Sequence, residues 1–317
     1  MASGFFKKRH DVEKSQIMGR LAAVETLAMV DRNVEQSSAN DQARAIARFK
    51  QLMAVDLSDQ TAKNYLDVLL KHLRNSEVNI NFRASDFFAS KPADKYATKF
   101  EVQRTTGAPF SPVRNETEEK MFHYSTATNG GATDAGSAAA VDRMNKLGPT
   151  ASAEFAGIVR PRYCSLNFAA LKDGFGAQWG RSHFKLSDRL KLNMSFVHTD
   201  SFDINSSRST PQSVQAQVAT YHNMTRLICN MAPIMFDILV EAASGQLGPG
   251  QTHAALKDRY HFGDTLYIEA QCHAEIIFSR DVDEIRICDT EISGNATAKK
   301  NLDRFVAKHK LKLVTFT

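Results

Sequence analysis

Eleven residues, Tyr267-Ile-Glu-Ala-Gln-Cys-His-Ala-Glu-Ile-Ile277, constrain the fold of this chain more than any other stretch. Read with a period of two, Tyr267, Glu269, Gln271, His273 and Glu275 point one way, and Ile268, Ala270, Cys272, Ala274 and Ile276 the other. Alternation this long predicts a β-strand with one face in a core. The opposite face carries two carboxylates, an amide and an imidazole, where a merely soluble strand would carry Thr, Lys and Ser. Such density marks a candidate site; the plainer alternative is a salt-bridged, exposed strand face.

Around this strand the chain reads as α+β. Helix-spaced apolar residues predict helices over 11–30, 39–55 and 58–74, the last opened by the capping sequence Ser58-Asp-Gln-Thr61, and three such helices can bury one another as a small bundle. Val78-Asn-Ile-Asn-Phe82 alternates as a short strand, and 100–104 is a weaker strand candidate. Thr-Asn-Gly-Gly-Ala-Thr-Asp-Ala-Gly-Ser, within 126–152, has linker chemistry. It divides the chain into an N-terminal helical region, 1–125, for target or partner binding, and a domain at 153–317. In the latter, strands are predicted over 157–168, 182–186, 191–197, 265–278 and 284–288, with a helical block at 210–243 broken at Pro233 and a closing helix over 302–308. Strands without regular βαβ alternation argue α+β rather than a doubly wound sheet.

The 317 residues have 43% hydrophobic and 24% charged content, as in globular domains, and a formal charge of only +5, which gives no reason to expect nucleic acid. The terminal basic runs Lys7-Lys-Arg-His10 and Lys308-His-Lys-Leu-Lys312 read as solvated tails. Cys164, Cys229, Cys272 and Cys288 form no CxxC pair and read as buried thiols. The longest apolar stretch, 228–243, is interrupted by Asn230, Pro233, Asp237 and Glu241, so no transmembrane segment is expected, and the N-terminus lacks the apolar run of a secretory signal. Phosphate-loop, nucleophile-elbow and His-Glu-x-x-His motifs are absent; Gly245-Gln-Leu-Gly-Pro-Gly250 reads as a turn.

Two further constellations accompany the strand. Arg160 and Arg162 share a strand face in Arg160-Pro-Arg-Tyr163, where an arginine suits either a phosphate clamp or a surface ion pair. Gly174-Phe-Gly-Ala-Gln-Trp-Gly-Arg-Ser-His-Phe184 is a glycine-rich turn entering a strand, and His198-Thr-Asp-Ser201 offers small polar groups for a pocket or a turn.

In order, Arg160-Pro-Arg-Tyr163, Gly180-Arg-Ser-His-Phe184, Thr199-Asp-Ser201 and Ile268-Glu-Ala-Gln-Cys-His273 with Arg280-Asp-Val282 resemble a bacterial domain family of unknown function. That family in turn is similar to the mono-ADP-ribosyltransferase toxins and effectors of the arginine–serine–glutamate type. The resemblance spans about residues 155 to 292; Cys164 and Ala274 stand where that family has glycine. It implies packed antiparallel or mixed sheets with flanking helices, and cleavage of the nicotinamide–ribose bond of NAD with transfer to a host or competitor protein. It also implies a secreted effector without a cleavable signal, acting in the target-cell cytoplasm, or otherwise a cytoplasmic protein. Catalytic roles would fall to Glu269, Gln271 and His273, and contacts with NAD to Arg160, Tyr163, Ser182, Thr199, Asp200 and Ser201, with Trp179 as a second stacking ring. The order Glu269-x-Gln271 leaves open which of the two faces the ribose. Two other readings stand beside it. One is a metal enzyme using Glu269, His273 and Glu275 with His253 or His261; the other is a non-enzymatic interaction module.

Overall fold

In a computed structural model the chain is described over residues 2–106, 111–122, 160–205, 208–248 and 250–317. The expected linker at 126–152 and the first residues of the strand expected at 157–168 lie outside these. The fold is α+β, as expected: an N-terminal helical region precedes one mixed eight-stranded sheet wrapped by helices. The strands are β1 (Glu77–Phe82), β2 (Arg162–Asn167), β3 (Ser182–Leu186), β4 (Met194–Val197), β5 (Ala219–Thr220), β6 (Glu269–Cys272), β7 (Val282–Cys288) and β8 (Lys312–Phe316). Their order is β5-β4-β6-β2-β1-β3-β7-β8. Among the described strands only β7 and β8 pair in parallel.

The first helices are α1 (Ala2–Ser37), α2 (Asp41–Met53) and α3 (Asp59–Asn75). The third begins where its cap predicts, with the Thr61 N–H donating to Ser58 Oγ at 3.2 Å. Rather than closing into a bundle of their own, α2 and α3 put Phe49, Leu66, Leu69 and Leu73 into the same core as Phe236 and the sheet. The first strand of the chain, β1, sits centrally between β2 and β3, antiparallel to both.

Short periodic segments misled where local capping or long-range pairing decided the outcome. Residues 100–104 lie in a helix, Lys99–Thr106, not a strand. The reason is a reciprocal cap: the Thr98 N–H donates to Glu101 Oε2 at 2.7 Å and the Glu101 N–H to Thr98 Oγ1 at 3.1 Å. The strand expected over 265–278 shrinks to Glu269–Cys272, because Asp281 turns the chain by accepting from the Ile277 N–H at 2.8 Å and opens helix Phe278–Asp281. At the C-terminus the expected basic tail is instead the end of helix Ala296–His309, a left-handed Lys310 and β8, whose Lys312 pairs with Glu284 at 2.6 Å. Pro233 starts a new helix, Pro233–Ala243, as a proline at a first helical position should.

The sheet has two unlike faces. One carries Ile80, Phe82, Phe184, Ile285 and Ala270; there Phe82, Phe87, Phe88, Phe184, Phe278 and Phe305 interlock, with the Phe82 and Phe184 centroids 4.5 Å apart and those of Phe278 and Phe305 4.8 Å apart. Burying each such ring contributes roughly 1.5–3 kcal/mol. The other face carries Asn79, Asn81, Ser165, Glu269 and Gln271, and it is there that the chemistry lies.

Candidate functional site

Sheet register builds the site. Asn79 lies opposite Ser165, Ser165 opposite Glu269, and Glu269 opposite Val197, so one cross-strand row runs over β1, β2, β6 and β4. Directly opposed residues share a face, and each strand step is about 4.8 Å. The neighbouring row holds Tyr163, Gln271 and Ser195.

A continuous hydrogen-bond chain fixes the Glu269 carboxylate. The Gln271 amide nitrogen donates to Glu269 Oε1 at 2.7 Å, and Ser195 Oγ donates to Gln271 Oε1 at 2.9 Å. Because that hydroxyl has one proton, His273 Nε2, 2.9 Å from it, must be the N–H donor. Glu269 Oε2 receives the Tyr267 hydroxyl at 2.9 Å, and the same hydroxyl stands 3.2 Å from Asp200 Oδ2. One phenolic proton cannot serve two carboxylates, so this trio favours a proton on one of the acids. Accordingly burial, and then the Asp200 charge, push Glu269 up to about 7, against the lowering pull of Gln271, Ser201 and Tyr267. Asp200 is raised as well, chiefly by burial. Burial and the nearby Arg162 charge hold His273 neutral, down at about 3.

Glu269 and Asp200 form part of the wall of a cavity of about 790 Å³, together with Tyr163, Trp179, Arg114 and Lys99. The Arg114 guanidinium lies between two rings, 4.3 Å from the centroid of Tyr163 and 4.7 Å from that of Phe202. Its Nη1 is buried with no hydrogen-bond partner. Burial and the Arg114 charge lower the Lys99 ammonium below the usual lysine range. Three cations in one wall, Arg83, Lys99 and Arg114, the last with a buried and unpartnered nitrogen, suit an anion.

The sequence-predicted residues divide into three groups. Glu269, Tyr163 and Asp200 line the cavity, and Ser201, buried, faces Glu269. Gln271 and His273 stand behind Glu269 and orient it, so the residue of the pair that meets the cavity is Glu269. Arg160, Ser182 and Thr199 lie elsewhere. Arg160 is buried in an ion pair with Glu118 of helix Pro112–Phe122, which also accepts from the Tyr163 hydroxyl at 2.8 Å. The Ser182 hydroxyl donates to Glu291 Oε2 at 2.7 Å and accepts from the Cys288 N–H at 3.0 Å, work that ties β3 to β7. Thr199 Oγ1 donates to the Thr265 carbonyl at 3.0 Å and closes a loop. The expected NAD contacts at these three positions therefore fall outside the cavity wall.

Sequence reasoning missed Arg114, Asn79, Ser165 and Gln178. Asn79 left a signal, since Asn79 and Asn81 alternate on one strand face; Arg114 left none.

Glu269, His273 and Glu275 do not gather as metal ligands. Glu275 leaves the site to pair with Arg20 at 2.7 Å and Lys95 at 3.3 Å, and His273 packs edge-on against Phe122. His253 lies against Phe175 and Phe262, and His261 ends a helix in the left-handed conformation. Among the described residues no three His, Cys, Asp or Glu side chains form a metal-binding set. Of the four cysteines, Cys164, Cys272 and Cys288 are buried, Cys229 is half-buried, and none is bridged.

Fold and site together define an α+β protein with a polar, mixed-charge cavity on one face of a mixed sheet. Residues 96–317 match the family model described as Protein of unknown function (DUF3626), and the chain belongs to that family. No curated protein matches the chain. Among the described residues no helix is long and apolar enough to cross a membrane.

Proposed function

We propose that this chain is an NAD-cleaving enzyme of the mono-ADP-ribosyltransferase kind, a bacterial effector or toxin that modifies a protein target. One observation carries the reading: Glu269 is a buried, firmly oriented carboxylate in the wall of a nucleotide-sized cavity whose wall also holds three cations and aromatic rings. The diphosphate would lie against Arg114 and Lys99, the part first given to Arg160, and Tyr163 or Trp179 would flank a ring.

The chemistry suits these groups. The bond from ribose C1′ to the nicotinamide nitrogen breaks, its electron pair goes to that nitrogen, and the pyridinium becomes neutral. Positive charge grows on C1′ and the ring oxygen, as in glycoside cleavage, and an ionised Glu269 beside it stabilises that state. The acceptor's nucleophile then bonds to C1′, and its proton passes to Glu269 and on to solvent. A carboxylate near 7 serves both steps, and Gln271, Ser195 and His273 keep it aimed. A secreted effector acting in the cytoplasm of a target cell belongs to the same proposal.

Nicotinamide release from NAD by the purified protein tests the reading. Release should rise with pH through about 7 as Glu269 ionises. Glu269→Gln should abolish release while retaining the far-ultraviolet spectrum and the affinity for ADP-ribose. Full activity in that variant would falsify the assignment.

A further inference from the structure

Two asparagines on β1 face the same way and meet opposite fates. Asn81 is saturated: its amide nitrogen donates to the Asp173 carbonyl at 2.7 Å and the Gly180 carbonyl at 2.9 Å, and its oxygen accepts from the Gly176 N–H at 3.2 Å. It pins the loop at 173–180 to the sheet. Close approach explains the glycine at 180, where φ is +137° and a Cβ would stand 2.1 Å from the Phe82 carbonyl carbon. Asn79, fully buried two residues earlier, has neither its amide nitrogen nor its oxygen partnered. Ser165, directly opposite, has an unpartnered hydroxyl, and both amide atoms of Gln178 are unpartnered too.

All three side chains line the cavity that holds Glu269. A buried polar group without a partner destabilises the fold that holds it. Three together in one wall, beside an asparagine the fold satisfies completely, are poorly explained by packing. The glycines of the loop let it lie close over these side chains: a Cβ at Gly174 would stand 2.7 Å from Asn81 Oδ1 and 3.2 Å from Asn79 Nδ2, and one at Gly176 3.0 Å from Asn81 Oδ1 and 3.3 Å from Ser165 Oγ.

We propose that Asn79, Ser165 and Gln178 form the subsite for a neutral carboxamide, the one carried by the nicotinamide ring, and so set the enzyme's preference for amide over acid. This rests on the NAD reading above. The trio is uncharged and presents donors and acceptors together, which a planar amide answers on both of its edges. A carboxylate would meet the two amide oxygens with no proton to offer. Placement agrees: Ser165 stands one strand spacing, about 5 Å, from Glu269 and Asn79 two, the reach of a substituted six-membered ring from the ribose carbon that Glu269 faces. Asn79 also precedes the stretch matched by the family model, 96–317, so β1 would bring specificity to a site whose Glu269, Ser165 and Gln178 come from that stretch.

The test compares NAD with its analogue bearing a carboxylate in place of the amide, and separately measures binding of nicotinamide alone by ligand-observed NMR. The wild-type chain should favour the amide by about 100-fold or more in kcat/KM, and Asn79→Ala should erase about tenfold or more of that preference. Gln178→Ala, in the single turn Ala177–Trp179 that packs beside β1, gives a second variant that leaves every strand residue unchanged. The Tm of Asn79→Ala should hold or rise, since an unpartnered group is removed; a fall would mark Asn79 as structural and overturn the inference. Unchanged amide preference and unchanged nicotinamide binding in both variants would also overturn it, even if Glu269→Gln abolishes NAD cleavage. No nicotinamide binding to the wild-type chain, as when the trio holds only water, would do the same. Nicotinamide binding that is lost in Asn79→Ala, without NAD cleavage by the wild-type chain, would uphold the subsite and remove the transferase reading instead.

Discussion

The two faces of the sheet solve burial in opposite ways. On one, six phenylalanines satisfy one another through contact alone. On the other, polar side chains are satisfied unevenly: Asn81 and Gln271 have partners at both amide atoms, whereas Asn79, Ser165 and, from the adjoining turn, Gln178 have none. A fold selected for stability alone would make its second face resemble its first. The difference locates what the molecule gives up for function, and it can be measured.

The largest effect expected concerns His273. The folded chain keeps it neutral down to about pH 3, whereas an unfolded histidine takes a proton near 6.5. Between those values the unfolded state binds one proton more, so stability falls as pH falls, by about 1.4 kcal/mol per unit: about 3 kcal/mol by pH 4.5 and about 5 kcal/mol by pH 3. His183, buried, and His198, half-buried, are both lowered to about 4 and act in the same direction. Urea titrations of wild type and His273→Gln from pH 7 to 4.5 should converge as pH drops; parallel curves would show that this imidazole is not held neutral.

Next comes the apolar face. Phe184→Ala should cost about 3–5 kcal/mol by urea unfolding at any pH in that range, since the ring is fully buried among Phe82, Phe87, Phe278 and Phe305. A loss below 1 kcal/mol would mean that this face is not the anchor.

Glu269→Gln should do the reverse. The native carboxyl holds its proton to about pH 7, whereas an unfolded glutamate loses it near 4.5. The wild-type chain therefore loses stability as pH rises between those values, by about 3 kcal/mol in total. The variant should match wild type near pH 4.5 and exceed it by that amount at pH 8, while losing nicotinamide release. Equal stability at pH 8 would contradict a strained carboxylate. The smallest effect is a gain of about 1 kcal/mol for Asn79→Ala, seen as a modest rise in Tm.

How legible this contrast was in the sequence depends on distance along the chain. Alternation identified β1, β3 and the polar row of β6, and capping chemistry placed α3, because those signals are local. The helix at Lys99–Thr106 was hidden by a five-residue alternation, and β8 by a run of lysines whose strand character comes only from lying beside β7. Glu269 was legible because its neighbours alternate with it. Arg114 was not: its place between Tyr163 and Phe202 follows from how helix Pro112–Phe122 packs, which no short window encodes. Arg160 shows the converse, an arginine with the right neighbours in sequence whose charge is already matched by Glu118.

The central position of β1 reaches beyond the site. A fragment beginning at residue 96 would leave β2 and β3 facing each other across an empty lane, each offering a row of unpaired backbone groups to whatever strand arrives first. Such a fragment should aggregate when made alone. Supplied with a peptide covering 77–82 it should recover, because donating that strand closes both open edges at once.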